Sequence, residues 1–266
     1  MEIIRIEDPL DPRVAAYRDI RERDLVGRSG RFVAEGKVVL RVLFEARRFA
    51  VESVLLLDSR IEGMRETLAL APPGVPVYLA RPSVMDAVAG FHLHRGILAI
   101  GRKPAPEPPS ALLDRLPERA MAVVLIGLAN HDNVGAIFRN AAAFGVDAVL
   151  LDRGSCDPLY RKAIRVSVGA ALKVPFATAE SDDLVTALMA ARFELIALSP
   201  GGAEDIAAIR RADRTALLLG SEGEGLPREL MARLRTARIA MADGFDSLNV
   251  AAASAIALHR LTGRAG

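Results

Sequence analysis

The stretch Leu217-Leu-Leu-Gly-Ser-Glu-Gly-Glu-Gly-Leu-Pro227 joins an apolar run to a glycine-rich turn and then to a proline. The apolar run is typical of a buried strand, and the proline is typical of the first turn of a helix. Gly220, Gly223 and Gly225 leave backbone donors free of side chains, so that a ligand can approach them closely. The stretch therefore predicts a strand, a ligand-binding turn and a helix in succession.

The spacing of these glycines differs from that of two common nucleotide-binding motifs. The order here is G-x-x-G-x-G, whereas a dinucleotide fold shows G-x-G-x-x-G after its first strand. The chain also lacks G-x-x-x-x-G-K-[ST], so neither a Rossmann dehydrogenase nor a P-loop enzyme is supported. Glu222, inside the turn, is either a polar site residue or a carboxylate that faces the dipole of the next helix.

Length and composition limit the class of protein. The chain has 266 residues, of which 51% are hydrophobic, enough for two modest domains or one large one with a full core. It shows no apolar run long enough to cross a membrane and no signal-peptide pattern, and its one cysteine is Cys156, so we expect a cytoplasmic protein. A net charge of +2 permits nucleic-acid binding without demanding it.

Strand and helix signals alternate in the second part of the chain. The strand candidates are Ala122–Leu128, Asp147–Leu151, Phe193–Leu198, Thr215–Leu219 and Arg238–Met241. Helical patterns lie at 133–144, 181–191, 227–234 and 247–261. Because the strands are short and almost continuously apolar, we expect a mostly parallel sheet that is covered on both faces. Ligands then bind at the carboxyl ends of the strands.

The first part of the chain reads as a smaller α/β domain. Helical patterns lie at 11–26 and 37–48, and strand patterns lie at Val51–Leu57, Val75–Leu79 and Gly96–Ile100. Closely spaced prolines then interrupt the periodicity. We therefore predict a first domain over 1–103, a proline-rich linker over 104–118 and a second domain over 119–266.

Two further polar constellations follow strand candidates of the second domain. In the first, Asn130 to Arg139, Asn133 is a good N-cap for a helix over 134–144. Arg139 lies one turn after two small residues, which leave its guanidinium open to an anionic partner. The alternative is a solvated arginine on the surface of a helix.

The second constellation is Ser247-Leu-Asn-Val250, which precedes a helix rich in small residues. Ser247 fits a plain helix cap. Asn249, predicted inside the first turn, is a poor residue for a helix interior and is therefore a stronger candidate for a functional role. Residues 251–258 fit either burial within the subunit or a contact between subunits.

Together these residues resemble the SpoU/TrmH family of RNA ribose 2′-O-methyltransferases, which belongs to the SPOUT superfamily. The first motif of that family, N-x-x-N-x-G-x-x-x-R, is matched from Asn130 to Arg139. The second, L-x-L-G-x-E-G-x-G-L, is matched from Leu217 to Leu226. The third, I-x-M followed by S-L-N-V, is matched by Ile239, Met241 and residues 247–250.

The resemblance implies a fold and a cofactor. The fold is α/β: a C-terminal SPOUT domain with a mostly parallel sheet and a trefoil knot, preceded by a smaller L30e-like RNA-binding domain over 1–103. The knot forms a pocket for S-adenosyl-L-methionine. By motif position, the cofactor-binding residues are Leu198, Ser199, Gly220, Ile239, Met241 and Leu248.

The resemblance also implies methyl transfer to a ribose 2′-hydroxyl of rRNA or tRNA, by a homodimer whose site is completed across the subunit interface. The functional polar positions of the family are Asn133, Arg139, Glu222, Ser247 and Asn249. Because a guanidinium stays protonated, we expect Arg139 to clamp an RNA phosphate and to stabilise charge on the ribose oxygen. The alternative is an RNA-binding or assembly factor with the same fold and little or no activity.

No metal site is predicted. His92 and His94 could lie on one face of a strand, as a pair of metal ligands would. Because no third ligand lies near them in the sequence, a contact with RNA or a role in a turn is favoured.

Overall fold

The computed structural model describes residues 2–18, 20, 26, 29–90, 93, 95–221, 223–242, 244 and 247–263. Contacts divide the chain into two units. The first comprises Met1–Ala105 with Leu159–Lys173, and the second comprises Pro106–Pro158 with Val174–Gly266. Each unit is built on its own β-sheet.

The elements are numbered in chain order. The strands are β1 (Ile3–Ile6), β2 (Arg31–Glu35), β3 (Ala50–Leu57), β4 (Val77–Ala80), β5 (Ile97–Arg102), β6 (Ala120–Leu125), β7 (Ala148–Asp152), β8 (Phe176–Ala179), β9 (Glu194–Leu198), β10 (Glu204–Asp205), β11 (Arg214–Leu219) and β12 (Arg235–Arg238). The α-helices are α1 (Lys37–Ala46), α2 (Ile61–Leu68), α3 (Pro82–Ala89), α4 (Pro109–Asp114), α5 (His131–Ala143), α6 (Arg161–Val166), α7 (Ala170–Lys173), α8 (Ser181–Ala190), α9 (Arg228–Met231) and α10 (Val250–Thr262). Short 3-10 helices lie at Pro12–Tyr17, Asp58–Arg60 and Ile206–Ala208.

The sheet of the first unit has the order β1-β4-β3-β5-β2. Strands β1, β4 and β3 are parallel, whereas β5 runs antiparallel to both β3 and β2. Tyr17 lies fully buried beneath this sheet, and its hydroxyl is 2.8 Å from the hydroxyl of Ser53 on β3. The hydrogen bond compensates for the removal of both hydroxyls from water.

Helices α6 and α7 follow β7 in sequence but belong to the first unit. They pack on β2 and α1, and they bury Ile164 and Leu172. The Nε of Arg161 donates to Oε2 of Glu35 at 2.9 Å, and the two side chains are only 12% and 8% exposed. The segment 159–173 therefore interrupts the second domain that the sequence predicted as continuous.

The sheet of the second unit has the order β10-β12-β9-β11-β6-β7-β8, and each pair of neighbouring described strands is parallel. All six residues of β6 are buried, as expected for a strand that is covered on both faces. One face packs on the apolar residues of α4 and α8, among them Leu113 and Leu188. The predicted α/β fold with a mostly parallel sheet is confirmed, and the trefoil knot stays a prediction.

Three local predictions were wrong. The proline-rich linker contains helix α4, because Pro109 suits the first helical position and Leu112 and Leu113 are buried in the core. The last strand of the second unit is β12, and not Arg238–Met241. The polar residues of β12 are accommodated because Arg235 bonds to a glutamate on each neighbouring strand.

The third error concerns the caps of two helices. Helix α5 begins after Asn130, whose Oδ1 accepts a hydrogen bond from the amide of Asp132 at 2.9 Å. Asn133, predicted as the cap, lies inside the first turn. Helix α10 begins after Asn249, so this residue is the cap and Ser247 precedes it. Each segment therefore holds more than one residue that can cap the helix: Asn130 and Asn133 at the start of α5, and Ser247 and Asn249 at the start of α10.

Candidate active site

A cavity of about 400 Å³ lies at the carboxyl ends of three adjacent strands of the second unit. Ser199 follows β9, Gly220 follows β11 and Ile239 follows β12. The helix-entry segment that leads into α10 closes another side of it. The position agrees with the rule that parallel α/β sheets bind ligands beyond the carboxyl ends of their strands.

The cavity brings together all six predicted cofactor-binding residues and two of the predicted catalytic residues. The lining residues comprise Leu198, Ser199, Pro200, Leu219, Gly220, Ser221, Gly223, Glu224, Gly225, Leu226, Met231, Ile239, Met241, Ser247, Leu248, Asn249, Val250 and Ala253. Most are apolar or small, and Glu224 is the charged residue among them. Glu222 lies outside the described residues. The roles of these residues stay predictions, whereas their convergence on one cavity is observed.

The glycine-rich turn explains why Gly220 must be glycine. A Cβ built on Gly220 would overlap the carbonyl carbon of Gly225 and the amide nitrogen of Leu226. Ser221 and Gly225 form an isolated antiparallel bridge, so the turn folds back on itself. Gly225 has a φ of 70°, which favours glycine. The turn thus presents backbone to the cavity.

Asn249 joins two of the three motifs. Its Oδ1 accepts hydrogen bonds from the amides of Ala251 and Ala252, at 2.9 and 3.3 Å, and so caps α10. Its Nδ2 donates to Oδ1 of Asn133 on α5 at 3.0 Å. Asn133 is 7% exposed. The bond therefore fixes the first turn of α5 beside the wall of the cavity that Asn249 forms.

A buried carboxylate holds the turn that leads into α5. Asp152, at the end of β7, is 8% exposed. Its Oδ1 accepts hydrogen bonds from the amide of Gly127 at 3.0 Å, and from the amide and hydroxyl of Ser155 at 2.8 and 2.7 Å. The hydroxyl of Ser155 in turn accepts from the amide of Leu128 at 3.0 Å. These bonds fix the backbone directly before the first motif.

Asn133 reaches the cavity through its hydrogen bond to the lining residue Asn249, and Arg139 does not line the cavity either. It lies on the exposed side of α5, six residues after Asn133, and it is not among the residues that line the cavity. Successive helical residues turn by about 100°, so a separation of six places the two side chains on different sides of the helix. Within one subunit, the guanidinium is presented to solvent.

Several lining residues were not predicted from the sequence. Met231 comes from α9, and Ala253 comes from α10 one turn after Asn249. A methionine or alanine in a helix carries no chemical signal, because the same residue types fill ordinary cores. Spacing gave the only available hint, since Ala253 lies at i+4 from Asn249 and so shares its face.

Two negative findings apply to the described part of the chain. No group of three or more His, Cys, Asp or Glu side chains there could hold a metal ion. No helix within the described ranges is both long enough and apolar enough to span a membrane. His92 and His94 lie outside the described residues.

Comparison with known proteins gives consistent matches. The model of the SpoU rRNA Methylase family matches residues 120–259. A protein of Mycobacterium bovis named as an uncharacterized tRNA/rRNA methyltransferase is 41% identical over 278 residues, which cover 98% of this chain and 92% of that protein. Proteins of the same name from two strains of Mycobacterium tuberculosis match to the same degree.

Solved structures match nearly the whole chain. The AdoMet-bound rRNA methyltransferase from Sinorhizobium meliloti superposes with a TM-score of 0.80 at 24% identity and covers 97% of both chains. A structure named as an RNA 2′-O ribose methyltransferase superposes with a TM-score of 0.75 at 23% identity, again over 97% of both chains. At these identities the similarity establishes the fold.

Proposed function

Because the chain belongs to the SpoU rRNA methylase family, we propose that it transfers a methyl group from S-adenosyl-L-methionine to a ribose 2′-hydroxyl of rRNA or tRNA. The coarser activity, methylation of RNA, follows from the family. One observation carries the finer proposal: Asn133 and Asn249 are hydrogen-bonded beside the cavity that the Gly220 turn helps to form. Residues of three separated motifs thus meet at one place.

The cavity fits the cofactor. Its volume of about 400 Å³ falls within the usual range for a small-molecule site. Leu198, Ile239 and Leu248 offer apolar surface for a flat adenine ring, and the exposed backbone of the Gly220 turn offers hydrogen bonds that carry no side-chain charge. Glu224 is the charge among the described lining residues, and its sign suits a cationic sulfonium.

The bound cofactor would supply an activated methyl group on a sulfonium, and the protein supplies orientation and electrostatics. Asn249 and Ser247 hold polar atoms at the cavity wall, where they can orient a ribose hydroxyl. Asn133 fixes the amide of Asn249 through their hydrogen bond. A phosphate oxygen of the RNA, a water molecule or Glu222 would accept the hydroxyl proton.

Arg139 has a different task. A guanidinium stays protonated in proteins, so it binds an RNA phosphate and stabilises negative charge rather than acting as a base. Its exposure on α5 places it on the subunit surface. We propose that two subunits pair so that Arg139 of each completes the site of its partner. Small or apolar exposed residues nearby, such as Ala143 and Ile256, suit such a contact.

The first test is methyl transfer itself. Purified protein, tritiated S-adenosyl-L-methionine and bulk RNA from a strain lacking the gene should give labelled RNA. Hydrolysis of that RNA should place the label on ribose and not on a base. Binding of the cofactor without any transfer would instead favour the RNA-binding or assembly factor, and a labelled base would refute ribose specificity.

The second test separates a shared site from one confined to a subunit. Arg139→Ala lacks the guanidinium, and Gly220→Ala lacks a competent cofactor pocket. In a random mixture, half of the dimers contain one subunit of each kind, and each has one pocket facing an intact arginine. A shared site therefore predicts recovery of about a quarter of wild-type activity. A mixture as inactive as the separate variants would place both residues in one subunit's site.

A further inference from the structure

Asn140 follows Arg139 directly on α5, and it binds α10. Its Nδ2 donates to the carbonyl oxygen of Ala251 at 2.8 Å and to the hydroxyl of Ser254 at 2.9 Å. The hydroxyl of Ser254 itself donates to the carbonyl of Ala251 at 2.7 Å. Ser254 is fully buried, so water cannot substitute for these contacts.

The residues that Asn140 binds belong to the part of α10 that lines the cavity. Asn249, Val250 and Ala253 line it, and Ala251 and Ser254 alternate with them in the same two turns. Any change in the position of these turns changes the wall of the cavity. Asn140 therefore contacts the backbone of the turns that form this wall.

The side chains of Asn133 and Asn140 attach α5 to α10 at two points. The two residues are seven positions apart, which is two helical turns or about 10 Å. Two attachments on one face restrain both the rotation of α5 about its own axis and the angle at which it crosses α10. Since neighbouring side chains diverge by about 100°, holding Asn140 against α10 turns Arg139 outward.

An apolar residue at position 140 could fill the same space but would not fix the orientation of α5 relative to α10. Hydrogen bonds restrict both distance and direction, while apolar contact allows sliding. A half-buried amide that satisfies two acceptors is thus suited to setting an angle.

We propose that Asn140 is a positioning residue. It fixes the first turns of α10 against α5 and thereby sets the outward direction of the Arg139 side chain. This inference rests on the proposed function, because it assigns Asn140 a task in methyl transfer. It does not make Asn140 a catalytic residue, since the structure gives it contacts with α10 and none with the cavity.

Asn140→Asp tests the proposal. The side chain keeps its shape but loses its donor, and it sets a carboxylate against the carbonyl of Ala251. We expect kcat for methyl transfer to fall by about tenfold to a hundredfold, the scale expected for misplaced reacting groups. The KM for RNA should change little, and the dissociation constant of S-adenosyl-L-methionine, measured by calorimetry, should rise several-fold.

Ile137→Val is the matched control. Ile137 lies on the same helix, is fully buried, and has an apolar side chain that takes no part in the hydrogen bonds to α10. Its loss of a methylene lowers stability without altering those bonds. An equal loss of kcat in Ile137→Val would overturn the proposal, as would a kcat in Asn140→Asp within about twofold of wild type.

Two further measurements keep the test decisive. If Asn140→Asp does not fold, Ser254→Ala removes one of the two acceptors, and an unchanged kcat there would count against the proposal. If the unaltered protein transfers no methyl group, the proposed function fails on its own. The positioning role of Asn140 is then tested by the dissociation constant of S-adenosyl-L-methionine. A constant that Asn140→Asp leaves unchanged would overturn that role.

Discussion

Asn249 combines two tasks whose contributions can be separated by substitution. As the cap of α10, it accepts hydrogen bonds from two backbone amides, and it also donates to Asn133. Loss of an N-cap costs about 1 kcal/mol of stability. Loss of a neutral hydrogen bond that leaves a partly buried acceptor unpaired costs about 1 kcal/mol more. Asn249→Ala should therefore destabilise the protein by about 2 kcal/mol.

Asn249→Ser separates the two contributions. Serine is a good cap but is too short to reach Asn133, so only the second contribution should be lost, at about 1 kcal/mol. Urea unfolding of the full-length chain measures these differences. If the two units unfold in separate transitions, S-adenosyl-L-methionine should raise the urea midpoint of only one of them. That transition measures the stability of the unit that contains the cavity.

A double-mutant cycle then isolates the bond between the two asparagines. The four proteins are wild type, Asn133→Ala, Asn249→Ser and the double variant. We expect a coupling free energy of about 0.5 to 1.5 kcal/mol. A coupling of zero would refute the inference that this bond fixes α5 against the cavity wall. Equal destabilisation by Asn249→Ala and Asn249→Ser would refute the role of Asn249 as a cap.

Three other perturbations give distinct results. Gly220→Ala should abolish cofactor binding in calorimetry because its Cβ would overlap the backbone of the turn, whereas Gly201→Ala, with no atom within 4 Å, should bind normally. Arg139→Ala should lower kcat by about a hundredfold or more while cofactor affinity and unfolding stay unchanged, because Arg139 is exposed; a residual rate near wild type would remove it from the site. Burial raises the pKa of the Tyr17 hydroxyl above its ordinary value of 10. Above pH 10 the hydroxyl therefore ionises in the unfolded chain before it ionises in the folded protein, and the free energy of unfolding falls as the pH rises further. Tyr17→Phe should therefore flatten the alkaline decline in urea stability by up to about 1.4 kcal/mol per pH unit, and an unchanged slope would contradict the assignment.

Much of the fold was predictable because its strands are apolar on both faces. Thr215–Leu219 differs by one residue from β11, and Phe193–Leu198 differs by one from β9. Strand β12, which lies between β10 and β9, was misplaced because its Arg235 is polar. Periodicity does not reveal that carboxylates from neighbouring strands will neutralise a charged residue.

The members of the cavity were predictable to the extent that a motif carried them. Gly220, Ile239 and Leu248, which the resemblance implied, line the cavity, and their role in binding the cofactor stays a prediction. Met231 was missed because its place in the cavity comes from the packing of a short helix and not from a motif. Asn140, which lies outside the cavity, was missed because its hydrogen bonds join two helices that are distant in sequence. The helix caps were misassigned for a local reason: both constellations offer more than one capping residue within four positions, and tertiary contacts choose between them.

The path of the chain has a practical consequence for dissection of the protein. It leaves the first unit after Ala105, returns to it between Leu159 and Lys173, and leaves it again. A fragment that stops at residue 105 would lack the helices that cover β2 and α1, and would leave the carboxylate of Glu35 without its cation. A fragment that starts at residue 106 would carry those same helices with their apolar sides bare. No single cut yields two intact pieces, so the contribution of each unit to RNA binding is better measured by point substitution in the full-length chain.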